Sequence, residues 1–248
     1  MEDMRISPEE FLRQAKQEEQ NNGRGRLMIF FGYAAGVGKT YAMLKAAHAA
    51  RKRGVGTVVG YVEPHARPQT AQLVNGLEVL PTKEVVHGGI TLHEFDLDAA
   101  LARKPQLILV DELAHTNADG SRHEKRFQDV AELLAQGIDV YTTINVQHIE
   151  SLNDLVASIT GITVMERIPD SVFDEADQVK LVDIEPKELI ERLQEGKIYR
   201  KQQAQQALGN FFTEQNLVAL REIALRRCAD RVNKMQAKAG GRVGQSSA

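Results

Sequence analysis

From residue 27 onward, short apolar runs alternate with longer stretches of helical periodicity. The runs occupy residues 27–31, 57–62, 84–86, 106–110, 138–144 and 178–183. They are largely continuous apolar runs without strict alternation, which suits strands covered on both faces. Helical patterning fills residues 39–53, 67–75, 93–103, 124–136, 148–158 and 186–194. Strand–helix–strand alternation predicts an α/β fold, a mostly parallel sheet flanked by helices.

Two segments lie outside the alternation. In residues 1–26, Ser7-Pro8-Glu9-Glu10 reads as a helix start, with Ser7 as cap, Pro8 at the first helical position and Glu10 completing a capping box. That accessory helix would carry Phe11, Leu12 and Ala15 and fail at Asn21-Asn22-Gly23. A partly ordered tail is the alternative. A long C-terminal helix is expected over residues 213–237. Val218, Leu225, Cys228, Val232 and Met235 share one stripe of it, widened by Leu217, Leu220 and Ala224. The stripe is expected to pack on its own domain, or else to connect to another domain or chain. The tail GGRVGQSSA is expected to be disordered. The organisation is then a helix and linker at 1–26, an α/β domain at 27–212, and a helix and tail at 213–248.

Composition narrows the class. Of 248 residues, 42% are hydrophobic and 26% charged, an ordinary balance for a globular protein. The longest apolar-plus-glycine run, from Leu27 to Gly38, is short of the roughly 20 residues of a membrane-spanning helix. MEDMRISPEE has no apolar signal core. Cys228 is the only cysteine, which excludes an internal disulfide, a multi-cysteine zinc site and an iron–sulfur cluster. The net charge of −3 gives no reason to expect nucleic acid. These features predict a reduced, cytoplasmic protein. The charge is uneven: residues 166–195 hold ten acids against four bases, and residues 221–248 seven bases against two acids.

The strongest chemical signal is GYAAGVGKT, residues 32–40, between the first apolar run and the first helical stretch. Strand, glycine loop and helix in that order are what a P-loop requires. Gly32, Gly36 and Gly38 suit a loop whose backbone turns tightly around a phosphate. The amides of Val37, Gly38, Lys39, Thr40 and Tyr41 would converge there at the positive end of the helix. Lys39 would reach the β- and γ-phosphates of ATP, and the Thr40 hydroxyl would ligate Mg²⁺. The motif G-x-x-x-x-G-K-[ST] places its first glycine at Tyr33, one residue after Gly32, so the loop is expected to be shaped differently or to turn at Gly32.

A second signal closes the run 106–110 with Asp111-Glu112. An acid at the carboxyl end of a buried strand is where a P-loop protein holds Mg²⁺, here Asp111 through a bound water. Glu112 is a candidate base or positioner for an attacking water. Asn145 and Gln147, after the run 138–144, are candidates to sense the γ-phosphate, with a helix cap and turn as the alternative. Glu63, His65 and Arg67 close the second run, and His115 and Thr116 follow the acid pair. These five could couple nucleotide state to loop conformation, but ordinary loop-to-loop hydrogen bonds are the commoner use of such residues.

GYAAGVGKTYAML, YVEPHARPQT, LILVDELAHTN and TTINVQHIESL occur in this order, followed by IPDSVFDEADQVKLVDIEPKELIERLQEGKIY and ALREIALRRCADRV. Together they resemble the N-terminal cytoplasmic domain of the KdpD family of sensor histidine kinases, over nearly the whole chain. The resemblance implies a membrane-anchored two-component sensor that phosphorylates a response regulator and governs potassium-transport genes. It implies an N-terminal part that binds ATP and regulates the kinase-to-phosphatase balance. It places the nucleotide loop on Gly32 to Thr40 and the second nucleotide motif on Leu109 to Glu112. The membrane helices, the phospho-acceptor histidine pattern, the kinase boxes and a universal-stress-type domain are not in this sequence. Histidine autophosphorylation by this chain is therefore not expected; it reads as an excised domain or a naturally short form. Its partners would be the remaining domains of the kinase and, indirectly, the response regulator, with the parent protein in the cell membrane. The competing readings are a free-standing small P-loop ATPase or small-molecule kinase and, last, a nucleic-acid-dependent ATPase.

Overall fold

The structure, a computed structural model, describes residues 23–62, 68–87, 89–195 and 211–243. The accessory helix expected before residue 23 lies outside the described residues, as do Glu63, His65 and Arg67. In chain order the strands are β1 (Leu27–Gly32), β2 (Thr57–Tyr61), β3 (Glu78–Val79), β4 (Lys83–His87), β5 (Ile90–Glu94), β6 (Leu107–Val110), β7 (Asp139–Asn145) and β8 (Gln178–Leu181). The helices are α1 (Lys39–Lys52), α2 (Pro68–Val74), α3 (Leu97–Arg103), α4 (Arg126–Ala135), α5 (Asn153–Thr160), α6 (Asp170–Asp174), α7 (Pro186–Gln194) and α8 (Glu214–Val243).

Six strands form one sheet in the order β3-β2-β6-β7-β1-β8, and every pairing in it is parallel. This is the α/β architecture that the strand–helix alternation predicts. The continuous apolar runs are explained by burial on two faces. Phe30 of β1 and Leu107 and Leu109 of β6 pack with Met43, Leu44 and Ala47 of α1. Ile29, Phe31, Ile108 and Val110 point the other way, into a cluster with Leu133 of α4, Phe173 of α6, Leu189 of α7 and Leu217 of α8. Each such Leu, Ile or Phe contributes about 1.5–3 kcal/mol by leaving water.

Register sets what stands side by side at the carboxyl edge. Gly32 of β1 lies opposite Asn145 of β7, and Val110 of β6 opposite Thr142. The residues after β1 and β6 and the last residues of β7 therefore meet along one edge, with β7 between the other two.

Three expectations are corrected. The run 84–86 is not in the main sheet; it belongs to β4, which pairs antiparallel with β5 as a separate hairpin. Its Val86 is 73% exposed, so this strand is apolar without being covered. The helix expected from residue 93 begins only at Leu97, because the Asp96 carboxylate accepts from the Ala99 amide at 2.9 Å and caps it there. His93 and Glu94 are strand residues. The helix expected from residue 148 starts at Asn153, after two 3₁₀ turns at Val146–His148 and Glu150–Leu152.

The C-terminal helix departs most. It continues to Val243, into the segment expected to be disordered. Leu217, Leu220 and Ala224 are buried, but Val218, Leu225, Val232 and Met235 are 45–51% exposed. The packing face is thus rotated from the expected stripe. The reason is polar. Arg227 and Arg231 are both 6% exposed and face inward. Arg227 stacks on the Phe173 ring, 4.7 Å from its centroid, and pairs with Asp174 at 2.7 Å. Arg231 donates to the carbonyls of Phe173 and Ala176 at the end of α6. Arg221 forks onto Asp183 and Glu185, and Lys234 reaches Asp174. The basic helix and the acidic block thus neutralise each other inside one fold. Burial pushes the Cys228 thiol up and keeps it protonated.

Leu220→Ala is expected to cost about 2–5 kcal/mol in urea unfolding. Leu225→Ala should stay within about 0.5 kcal/mol of the parent. The reverse order would return the packing face to the stripe read from the sequence.

Candidate functional site

One polar cavity at the carboxyl edge of the sheet gathers most of the candidate residues. Its walls include Gly36, Lys39 and Thr40 from the glycine loop and α1, Asp111 and Glu112 after β6, and Asn145 at the end of β7. His115, His148 and Glu166 also line it.

The glycine loop connects β1 to α1. Gly36 and Gly38 have φ of 90° and 102°, a region that other residues enter at a cost. Gly32 does something different. It is the last residue of β1, and a Cβ there would lie 2.6 Å from Val37 Cγ2 and 3.1 Å from Lys39 Cδ. The loop folds back over this bare position. Tyr33 stands where the motif has glycine and is not among the positive-φ residues. Its ring is buried and its hydroxyl donates to the Ile184 carbonyl at 3.1 Å. Burial, with Asp183 nearby, pushes that hydroxyl far above its ordinary value. The offset glycine is thus resolved: Gly32 gives room and Tyr33 anchors the loop root.

Lys39 heads α1, and its Nζ donates to the loop carbonyl of Ala34 at 3.0 Å. The Thr40 hydroxyl donates to Asp111 Oδ2 at 3.0 Å. Asp111 is 2% exposed, so its carboxylate must be satisfied inside the protein. Oδ1 accepts from the Thr143 hydroxyl and from the Glu112 amide. The Asp111 amide donates to Tyr61 of β2 and its carbonyl accepts from Arg126 Nη1 at 3.2 Å. Glu112 has φ of 59° and is exposed at the rim. Such a conformation in a non-glycine residue marks a position held by its surroundings.

Asn145 places its amide in the wall, and its Oδ1 is sealed from solvent without a hydrogen bond. Gln147 Oε1 is likewise sealed and unpaired, but its side chain is not part of the wall. Gly32, Val37, Gly38 and Tyr41 are not wall residues either. Val37 packs inward, and the Tyr41 ring points outward beneath Lys45. His115 and Thr116 make the loop-to-loop bonds weighed for them. His115 Nε2 lies 3.1 Å from both Glu94 carboxylate oxygens. The Thr116 amide donates to Glu166, and its hydroxyl accepts from Lys125.

Beneath the cavity lies a buried charge pair that the sequence reading missed. Arg126, at the start of α4, is fully buried. It donates to Glu94 Oε2 at 3.1 Å and stacks on Tyr61, 4.2 Å from the ring centroid. Burial alone would push the Glu94 carboxyl up. His115 and Arg126 together hold it below the usual carboxylate range. Glu94 was hidden because its segment reads as helix, and Arg126 because an arginine in a helical first turn looks like surface. Thr143 lies at the close of the run 138–144 and His148 follows it, so their strand-end position put both at this edge without giving either a role; Glu166 had no signal of its own.

The fold and its edge define an α/β domain with a polar cavity built from a glycine loop, a buried carboxylate and a strand-end amide. The chain belongs to the KdpD family: residues 23–232 match the model described as the osmosensitive K⁺ channel His kinase sensor domain. It is 61% identical over 229 residues to the sensor protein KdpD of Clostridium acetobutylicum, covering 92% of this chain and 25% of that protein. It is 54% identical over 244 residues to the sensor protein KdpD of Escherichia coli, covering 98% of this chain and 27% of that protein. The corresponding protein of Mycobacterium tuberculosis is 50% identical over 213 residues, covering 86% of this chain and 25% of its own length. The chain thus spans about a quarter of the length of these relatives. Among the described residues no helix is long and apolar enough to cross a membrane.

Arg126→Met is expected to cost about 3–5 kcal/mol in urea unfolding, because it takes the guanidinium from the buried Glu94 charge and leaves it only His115 and the Ala118 amide. Glu94→Gln on the same background should recover part of that loss. The pH dependence has a definite sign. The Glu94 carboxyl is held low in the fold, so its contribution is complete above the unfolded value of about 4.3. It is lost as pH falls through the folded value. Glu94→Gln should accordingly flatten the acid limb of the stability profile.

Proposed function

We propose that this chain is the regulatory Mg·ATP-binding domain of a two-component sensor histidine kinase that controls potassium-transport genes. Bound nucleotide biases the kinase-to-phosphatase balance of the remaining domains, and through them the response regulator. The family description and the relatives' names support the sensor-kinase context. In this reading the parent protein sits in the cell membrane.

The observation that carries the nucleotide reading is the Thr40–Asp111 pair beside Lys39 and the unpaired Asn145 amide, all in one cavity. The residues fit the expected ligand on three counts. Gly32 leaves a cradle that a Cβ would fill. A hydroxyl and a carboxylate together suit Mg²⁺, which takes few protein ligands and shares the rest with phosphates and water. The sealed Asn145 Oδ1 has an unmade hydrogen bond, which a water carried in with Mg·ATP would fill by donating to it, a phosphate oxygen being only an acceptor. In this reading Gly36, Val37, Gly38 and the first amides of α1 wrap the phosphates, with Tyr41 in that first turn. Lys39 moves from Ala34 to the β- and γ-phosphates. Thr40 ligates Mg²⁺ and Asp111 holds it through water. Magnesium supplies charge neutralisation along the phosphates. Glu112 stays at the rim, where a nucleophile would enter.

Lys39→Ala should weaken Mg·ATP binding about 10–100-fold in titration calorimetry, the worth of a charged hydrogen bond. Equal affinity in the two proteins would remove the site assignment. Asp111→Asn should weaken binding in magnesium more than in EDTA.

A further inference from the structure

His148 is a cavity side chain that the nucleotide reading leaves without a task. His148 sits in the 3₁₀ turn directly after β7, and its ring is part of the wall together with Lys39, Thr40 and Asn145. Its Nδ1 lies 2.7 Å from the Glu166 carbonyl oxygen. A carbonyl only accepts, so Nδ1 carries the proton and Nε2 keeps the lone pair. Among the described residues, no hydrogen-bond partner is present for Nε2, nor is it among the sealed polar atoms. Burial holds this imidazole below its ordinary range, the Glu166 carbonyl and carboxylate oppose that, and the Lys39 ammonium adds to it. The ring is therefore neutral near pH 7.

The chemistry of Nε2 decides what it can meet. Phosphate oxygens are acceptors, and so is Nε2, so the two cannot bond to each other. The partner of Nε2 must be a hydrogen-bond donor standing between the ring and the phosphate. The cavity, about 110 Å³, has room for water molecules in that position. We propose that His148 orients the water that attacks the terminal phosphate and accepts its proton at Nε2. This inference rests on the Mg·ATP reading above and adds hydrolysis to it.

The step balances. The water oxygen forms a bond to the γ-phosphorus. The bond from that phosphorus to the β–γ bridging oxygen breaks, and its electron pair leaves with ADP. One water proton passes to Nε2 and then to solvent, and the other stays on inorganic phosphate. The Glu166 carbonyl holds the ring while it carries the extra proton, because Nδ1 donates to it throughout. The Asn145 amide borders the same space.

The two nitrogens can be separated experimentally. In His148→Asn the amide nitrogen reproduces Nδ1 and keeps the Glu166 bond, while the acceptor at Nε2 is gone. In His148→Gln the amide oxygen orients a water but takes up no proton. Steady-state phosphate release by this chain would be measured with Mg·ATP for the parent, both variants and Lys39→Ala. His148→Asn is expected to keep the parental KM and Tm and to lower kcat about 100-fold. His148→Gln should fall between the two. A parental kcat in His148→Asn, or a change confined to KM, overturns the inference. If the asparagine variant does not fold, a parental kcat in His148→Gln overturns it equally. A parent chain that binds Mg·ATP but releases phosphate no faster than Lys39→Ala overturns the inference while the binding reading stands. A parent chain that does not bind Mg·ATP overturns both.

Discussion

The constraint on which the candidate site depends is the burial of the Asp111 carboxylate. A charge this deep is tolerable only if both oxygens find donors. The donors come from three directions: Thr40 at the head of α1, Thr143 on β7 and the Glu112 amide in its own loop. The backbone of the same residue is tied to Tyr61 on β2 and to Arg126 on α4. Satisfying one carboxylate therefore fixes the glycine loop, the end of β7 and the β6 loop relative to one another. The left-handed Glu112 follows from this. Its amide must turn back to reach Asp111 and Thr143, and a positive φ is the cost.

A second buried polar centre plays the matching part at the other end of the chain. Arg227 and Arg231 bury two guanidinium groups, which requires partners of opposite sign or free carbonyls. Asp170, Asp174 and the carbonyls after α6 supply them. A short helix of acidic composition thus seats a long basic one. Leu217, Leu220 and Ala224 pack along with it, and the remaining apolar stripe is left facing outward. Hydrophobic periodicity alone could not choose between the two faces, because each presents apolar residues at helical spacing. The arginines chose.

The same distinction explains how much was legible in the sequence. The centre of the parallel sheet was legible because β1, β2, β6 and β7 are covered on both faces, which writes nearly unbroken apolar runs; the edge strands β3 and β8 are not so covered. Lys39, Thr40, Asp111 and Asn145 were legible because they close such runs or follow the glycine loop, and strand ends fall on one edge. The hairpin β4–β5 was not, since a short exposed strand carries no such pattern. Glu94 and Arg126 were not, because their significance lies in long-range pairing; Thr143 and His148 were legible by position at the strand end but not by role. Arg126 and Glu94 are far apart in sequence, and neither position carries a local mark of burial. The role of Gly32 was half visible: the missing Cβ was read as a turn, whereas the structure uses it for close approach.

Under the proposed reading, the loop's own hydrogen bonding bears on how it would receive a phosphate. Lys39 is buried and donates to Ala34, and Thr40 donates to Asp111. Neither head group is left to search in solvent, so the rotamer entropy of both is spent in folding rather than at binding. A ligand then exchanges one set of bonds for another at nearly fixed positions. The Ala34 carbonyl is the group that loses in this exchange, because it gives up the ammonium. Its compensation must come from the loop backbone itself, and Gly36 and Gly38 are where that backbone is free to adjust. In that reading the glycines would serve the exchange as well as the shape: they would let the loop hold its lysine inward and release it without moving β1 or the buried carboxylate.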